Sequence, residues 1–269
     1  MQTTGKNRNT IDKFYTNPDV VKKYIDKFKP YIEDGDLIIE PSAGCGTWTI
    51  PLHMFNLIAF DIQPEGEGIQ QMNFLDVDLY AFQSNLHFIG NPPFGRQSSL
   101  AKKFIKHICS CDKTKTIAFI LPKSFKKESC KKIFLLDFHL KLSIDLDDDA
   151  FTLDGKDHNV PSIFQIWQKE STERLVVKDE ISKYISFVKK EDNPDLSIRR
   201  VGVNTTKCDK EIDDKSVQSH YFVKVKEDID VDSFLEKFNK LTFNDKDNTV
   251  GPKSISKPEL IKTVNTIQF

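Results

Sequence analysis

The chain is poor in the residues that build covalently stapled or metal-stapled folds. It has five cysteines, Cys45, Cys109, Cys111, Cys130 and Cys208, which form neither an even framework nor a C-x-x-C pair, and its six histidines are scattered. That argues against a disulfide scaffold and against a structural zinc, so no metal is expected. Long apolar runs are missing too: none approaches the roughly 18 residues that span a bilayer. The opening MQTTGKNRNT has no apolar core of signal-peptide length. The expectation is a soluble protein of the cytoplasm, or of a nucleus or viral factory in a eukaryotic setting, neither secreted nor membrane-bound. Net charge is also nearly absent, at -1 over 269 residues, so the whole-protein charge points to no partner.

The charge that is present is unevenly placed. Between Arg96 and Lys141 twelve basic residues face three acids, a local excess of +9, whereas residues 169–269 carry 19 basic and 19 acidic side chains. Lysine dominates the stripe, so it reads equally as solvated helix surface and as a track for phosphates.

Short β-branched and aromatic runs recur along the first 170 residues: DLIIE (36–40), NLIAFD (56–61), LHFIG (86–90), TIAFIL (116–121), FHLKLSIDL (138–146) and VPSIFQIW (160–167). Helix-length or polar segments separate them, which predicts an α/β domain with a mostly parallel sheet. PDVVKKYIDKF (18–28) and SSLAKKFIKHI (98–108) carry apolar residues at helical spacing, the first with Pro18 in its opening turn and the second with Ser98 or Ser99 as cap. After Trp167 the pattern becomes charged and loop-rich. A boundary is expected near residue 170, giving domains 1–169 and 170–269. The second part holds a strand-like SHYFVKV (219–225), an amphipathic VDSFLEKFNKL (231–241) and a polar tail.

Two stretches carry chemistry. LIIEPSAGCGTWTI (37–50) reads as a strand, a tight glycine turn and a helix, the arrangement in which backbone approaches a ligand at a strand's carboxyl end. Asp61, ending the next strand, stands where a carboxylate accepts both hydroxyls of a ribose, or where it merely shapes a turn. In LHFIGNPPFG, Asn91-Pro92-Pro93-Phe94 follows a strand directly. Proline donates nothing to a sheet ladder and pushes the preceding residue out of helical space. The tetrapeptide therefore leaves the sheet as a rigid projection presenting Asn91, the Pro92 carbonyl and the Phe94 ring.

Taken in order, KFYTNPDVV (13–21), EPSAGCG, FDIQP, NPPFG and FILPKSF resemble the S-adenosylmethionine-dependent adenine-specific (N6) DNA methyltransferases of the gamma arrangement, over residues 13 to about 168. The resemblance implies a Rossmann-like class I methyltransferase sheet with a smaller carboxyl-terminal α+β domain that recognises the target. It implies S-adenosyl-L-methionine as cofactor and nucleic acid, DNA before RNA, as partner. Tyr15 and Thr16 would contact the cofactor's amino-acid carboxylate, Glu40, Ala43, Gly44 and Gly46 would form the first-strand motif, and Asp61 with Ile62 would meet ribose and adenine. NFLD (73–76) departs from the family, whose Asp-Phe is here Asn73 and Phe74; an asparagine carbonyl still accepts from an amine. Phe151 matches an aromatic that stacks on the target base, with a core phenylalanine as the alternative. Lys123, Lys126 and Lys127 either meet phosphates or are solvated.

The implied chemistry follows from the acceptor. An aromatic amine is a weak nucleophile because its lone pair is delocalised into the ring. If the Asn91 side-chain oxygen and the Pro92 carbonyl accept its two N–H bonds, the lone pair is aimed at the sulfonium methyl, and the two prolines keep both acceptors fixed beforehand. Phe94 stacks on a base that has left its duplex. Other readings are an RNA adenosine N6 or guanine N2 methyltransferase and a catalytically inactive nucleic-acid-binding subunit. A protein-glutamine methyltransferase fits less well, because that family places its extra domain before the catalytic one.

Overall fold

The computed structural model describes residues 15–153, 156–157, 159–176 and 178–269. The segment MQTTGKNRNT, the start of KFYTNPDVV and part of LDGKDHN (153–159) lie outside the described residues. The chain divides into two compact units, Met1–Leu175 and Val176–Phe269. The division falls beyond the expected boundary at 170 because Arg174 belongs to the first unit. Its guanidinium donates to the carbonyls of Lys131, Phe134 and Phe138, and its N–H donates to that of Leu136.

The first unit opens with Tyr15–Thr16 (β1) and Pro18–Phe28 (α1). The Asn17 side chain accepts the Asp19 N–H and Pro18 takes the first helical position, so this helix starts where its capping signals put it. Leu37–Glu40 (β2), Leu57–Asp61 (β3), Gln70–Gln71 (β4) and Leu86–Gly90 (β5) follow, then Ser99–Cys109 (α2), Thr114–Pro122 (β6) and the short Glu128–Lys131 (α3). Phe138–Asp145 (β7), Phe151–Leu153 (β8), Lys156–Asp157 (β9) and Ser162–Lys169 (β10) complete it.

Seven strands form one sheet in the order β4-β3-β2-β5-β6-β10-β7. Parallel pairing runs from β4 to β6, and β10 is antiparallel to both of its neighbours. This is a doubly wound, Rossmann-like sheet with one antiparallel strand, the sheet that the resemblance implies. Alternate side chains enter two cores: Leu37, Ile39, Phe88 and Phe119 pack towards α2, while Ile38, Ile89, Ala118 and Ile120 pack towards α1. Burial on both faces explains why these strands read as continuous apolar runs.

Two expectations fail locally. The glycine turn leads into no α-helix but into a single 3-10 turn, Ile50–Leu52. Few residues separate Gly46 from β3, and Pro51 removes a backbone donor in their midst. Ser98 sits at the N-cap of α2 without a capping side-chain bond, because its backbone is left-handed (φ 61°) and its hydroxyl lies 3.5 Å from that of Ser124.

The second unit has its own core. Ile185–Val188 (β11), Leu196–Arg199 (β12), Cys208–Asp209 (β13) and His220–Val225 (β14) pair antiparallel in the order β11-β14-β12-β13. Val231–Asn239 (α4) and Lys257–Val264 (α5) supply Phe234, Phe238, Leu260 and Val264 to that core. The expected polar tail thus contains a helix, started by a capping box between Ser256 and Glu259.

Candidate active site

Strand order reverses at β2, which has β3 on one side and β5 on the other. A crevice at the carboxyl ends of the strands is the geometric result, and ligands bind there in sheets of this kind. A cavity of about 720 Å³ occupies that position, reached by Glu40 from β2, Asp61 from β3 and Asn91 from the end of β5.

The glycine turn forms one wall. Gly44 and Gly46 both have positive φ, 55° and 87°. A Cβ on Gly44 would meet nothing within 4 Å, so this backbone is open to a ligand, whereas a Cβ on Gly46 would lie 2.8 Å from Thr49 Oγ1. Gly44 and Ala43 line the cavity, whereas Gly46, expected beside them, is not among the lining residues. Asp61 stabilises the same turn, since its carboxylate accepts the N–H of Gly44 at 2.8 Å and that of Gln63 at 2.7 Å. Each oxygen retains capacity for a further donor, so the turn-shaping and hydroxyl-accepting roles are compatible.

Glu40 is completely buried, and among the described residues neither carboxylate oxygen has a hydrogen-bond partner. Burial, reinforced by the nearby charge of Asp61, pushes its pKa well above the carboxylate range. The cavity therefore contains an acid that awaits a cation or a donor.

Asn91, Pro92, Pro93 and Phe94 all line the cavity. Asn91 Oδ1 is buried, and Ser42 Oγ donates to the Asn91 backbone carbonyl at 3.2 Å. That bond ties the proline projection to the strand-β2 turn. Phe94 is half-buried, and its carbonyl accepts the N–H groups of Leu100 and Ala101 at the start of α2. Between them Gln97 and Ser98 both take left-handed backbone, φ 54° and 61°, a strain that places the projection and the helix in close succession.

The amino-terminal strand closes another side. β1 pairs antiparallel with β8, Tyr15 opposite Thr152 and Thr16 opposite Phe151, and the Tyr15 hydroxyl donates to Glu65 Oε2 at 2.7 Å. Tyr15, Thr16 and Ile62 line the cavity.

Other candidates are placed less openly. Asn73 lines the cavity, but its side chain already caps a 3-10 turn by accepting from Leu75 N–H and donating to Asp76. Phe74 and Phe151 each contribute to the cavity wall while buried in a core, Phe74 against Phe60, Phe88, Phe104 and His107. Lys123, Lys126 and Lys127 lie outside the cavity lining, and Lys126 pairs with Asp145. Ser42, Trp48 and Glu65 are cavity residues that the sequence patterns did not single out. Each depends on which distant segment closes over the turn.

No protein-family model and no curated protein sequence matches the chain. Solved structures similar to it include a type I restriction-modification system methyltransferase subunit from Streptococcus thermophilus, at 16% identity and a TM-score of 0.42 over 60% of this chain and 47% of that one. A 23S rRNA methyltransferase matches at 13% identity and a TM-score of 0.42 over 64% and 72% of the two chains. A Pyrococcus abyssi tRNA (uracil-54, C5)-methyltransferase in complex with S-adenosyl-L-homocysteine matches at 17% identity and a TM-score of 0.37 over 59% and 40%. The chain thus spans about half the length of the type I subunit. Strand order and register, not these distant likenesses, identify the fold. Among the described residues no helix is long and apolar enough to cross a membrane.

Proposed function

We propose that the chain is an S-adenosyl-L-methionine-dependent methyltransferase acting on the N6 amino group of adenine in nucleic acid, with DNA as the favoured substrate. One observation carries this reading: the Asn91-Pro92-Pro93-Phe94 projection and the glycine turn after β2 line the same cavity. A site for amine activation and a site for a nucleoside-bearing ligand then adjoin.

The residues fit the cofactor. Glu40 is a buried acid suited to an ammonium, the backbone at Gly44 is open to close approach, and Asp61 stands ready for ribose hydroxyls. When bound, the cofactor supplies a methyl group on a positively charged sulfur. Asn91 Oδ1 and the Pro92 carbonyl accept the two N–H bonds of the target amine, and the nitrogen moves towards tetrahedral geometry. Phe94 stacks on the extruded base. Val176–Phe269 would serve target recognition, and the lysines after β6 would meet phosphates.

The test is transfer of labelled methyl groups to duplex DNA, single-stranded DNA, RNA and protein in parallel. The reading expects label in DNA above RNA and none in protein. Label in protein, or in no substrate, contradicts it.

A further inference from the structure

Trp48 follows the glycine turn, is 3% exposed and lines the cavity. Its ring is held by stacking on Phe164 (centroids 6.3 Å apart, planes 13° from parallel), which itself stacks on Tyr24 at 4.3 Å. Among the described residues its indole N–H has no acceptor. Trp167, the chain's other tryptophan, donates its N–H to Gln165 Oε1 at 3.0 Å, as a buried indole ordinarily does. An unsatisfied buried donor costs about 1–3 kcal/mol. Phenylalanine would provide the same stacking without that cost, so packing alone does not account for the N–H.

The same cavity contains the opposite demand. Glu40 presents two buried carboxylate oxygens with no donor. One group calls for an acceptor and the other for a cation, and an α-amino acid zwitterion satisfies both. Other parts of the cofactor meet only one of the two demands: ribose and adenine offer acceptors to an indole but no cation to Glu40, and the sulfonium offers a cation but no acceptor. We infer that the Trp48 indole N–H binds the carboxylate of the cofactor's amino-acid end while Glu40 receives its ammonium, which makes Trp48 a cofactor-binding residue in addition to the motif residues. This inference rests on the S-adenosyl-L-methionine reading above.

The test compares two ligands on the full chain by calorimetry. S-Adenosylhomocysteine carries the amino acid; 5′-methylthioadenosine shares its adenosine and thioether and lacks it. Trp48→Phe should weaken S-adenosylhomocysteine about tenfold or more, the range for a hydrogen bond to a charged group. Its affinity for methylthioadenosine should stay within about twofold of wild type, well under one hydrogen bond's worth. Unchanged affinity for both ligands, or equal loss of both, overturns the inference. Proton NMR of the wild-type protein gives a reading independent of the variant's folding, because its two tryptophans produce two indole N–H signals. Addition of S-adenosylhomocysteine should move one downfield and methylthioadenosine should not. The same movement with both ligands places the acceptor on the nucleoside and refutes the assignment. Failure of the wild type to bind either ligand removes the cofactor reading itself, a result distinct from loss of selectivity in the variant.

Discussion

The phenol of Tyr15 donates to Glu65 Oε2 at 2.7 Å across fifty residues of sequence, joining β1 to the loop after β3. Both side chains line the cavity, so the bond spans the site that the cofactor would enter. The Glu65 bond, followed by burial, pushes the Tyr15 pKa up to about 12. The raised value means that the hydroxyl's contribution is complete below pH 10 and is lost as pH rises through about 12. At neutral pH the latch is closed. Tyr15→Phe should release S-adenosylhomocysteine several-fold faster in stopped-flow measurements, corresponding to about 1 kcal/mol for one hydrogen bond. An unchanged rate would show that the bond does not restrain the ligand.

Glu40 gives a pH signature. Because its folded pKa is raised, the ligand-free protein keeps this proton at pH values where an ordinary carboxyl has lost it. An ammonium brought beside it favours the charged form, so the proton leaves on binding. Calorimetry in buffers of different ionisation enthalpy should register release of up to about one proton per ligand, and affinity should rise with pH until the free protein itself ionises. Glu40→Gln should abolish the release. Buffer-independent heats in the wild type would place the ammonium elsewhere.

Asp61 holds the Gly44 and Gln63 N–H groups as well as facing the cavity. Asp61→Ala should weaken S-adenosylhomocysteine by roughly 1.5–3 kcal/mol and also speed hydrogen exchange at the Gly44 amide. Asp61→Asn, which keeps an acceptor, should lose less of both. Faster exchange with unchanged affinity would confine Asp61 to shaping the turn.

The five cysteines differ sharply in access. Cys45 is half-buried and lines the cavity, while Cys109, Cys111, Cys130 and Cys208 are buried. Burial pushes the Cys109 thiol up to about 12 and raises that of Cys208 further out of reach. A thiol reagent at pH 8 should therefore titrate one group rapidly in the native protein and five after denaturation, and S-adenosylhomocysteine should slow the rapid one. Rapid reaction that the ligand leaves unchanged would put Cys45 away from the bound cofactor.

The sheet was legible wherever strands are buried on both faces, as in LHFIG, whose five residues are all β5 and all buried. The α1 start was legible because Pro18 is a local signal; the Asn17 cap beside it emerged only in the structure. β1 and β4 were not, since two residues carry no period and exist only through their partners. β11 to β13 were hidden for a related reason: their apolar residues stand among charges, and the helices that cover them lie far along the chain. At the site, Asn91 to Phe94 and the glycine turn could be read because their chemistry restricts the residue types. Trp48, Glu65 and Ser42 could not, because their roles arise only when segments distant in sequence meet around one cavity.

In the proposed reaction Asn91 activates an exocyclic amine of a nucleic-acid base. Mass spectrometry of nucleosides digested from the methylated product, for wild type and Asn91→Ala side by side, tests it most directly. N6-methyladenine is expected from the wild type. The variant should lose about 3 kcal/mol of transition-state stabilisation, roughly a hundredfold in rate, with cofactor affinity nearly unchanged. A methyl group found on a ring carbon, or N6-methyladenine formed at the same rate by both proteins, would contradict it.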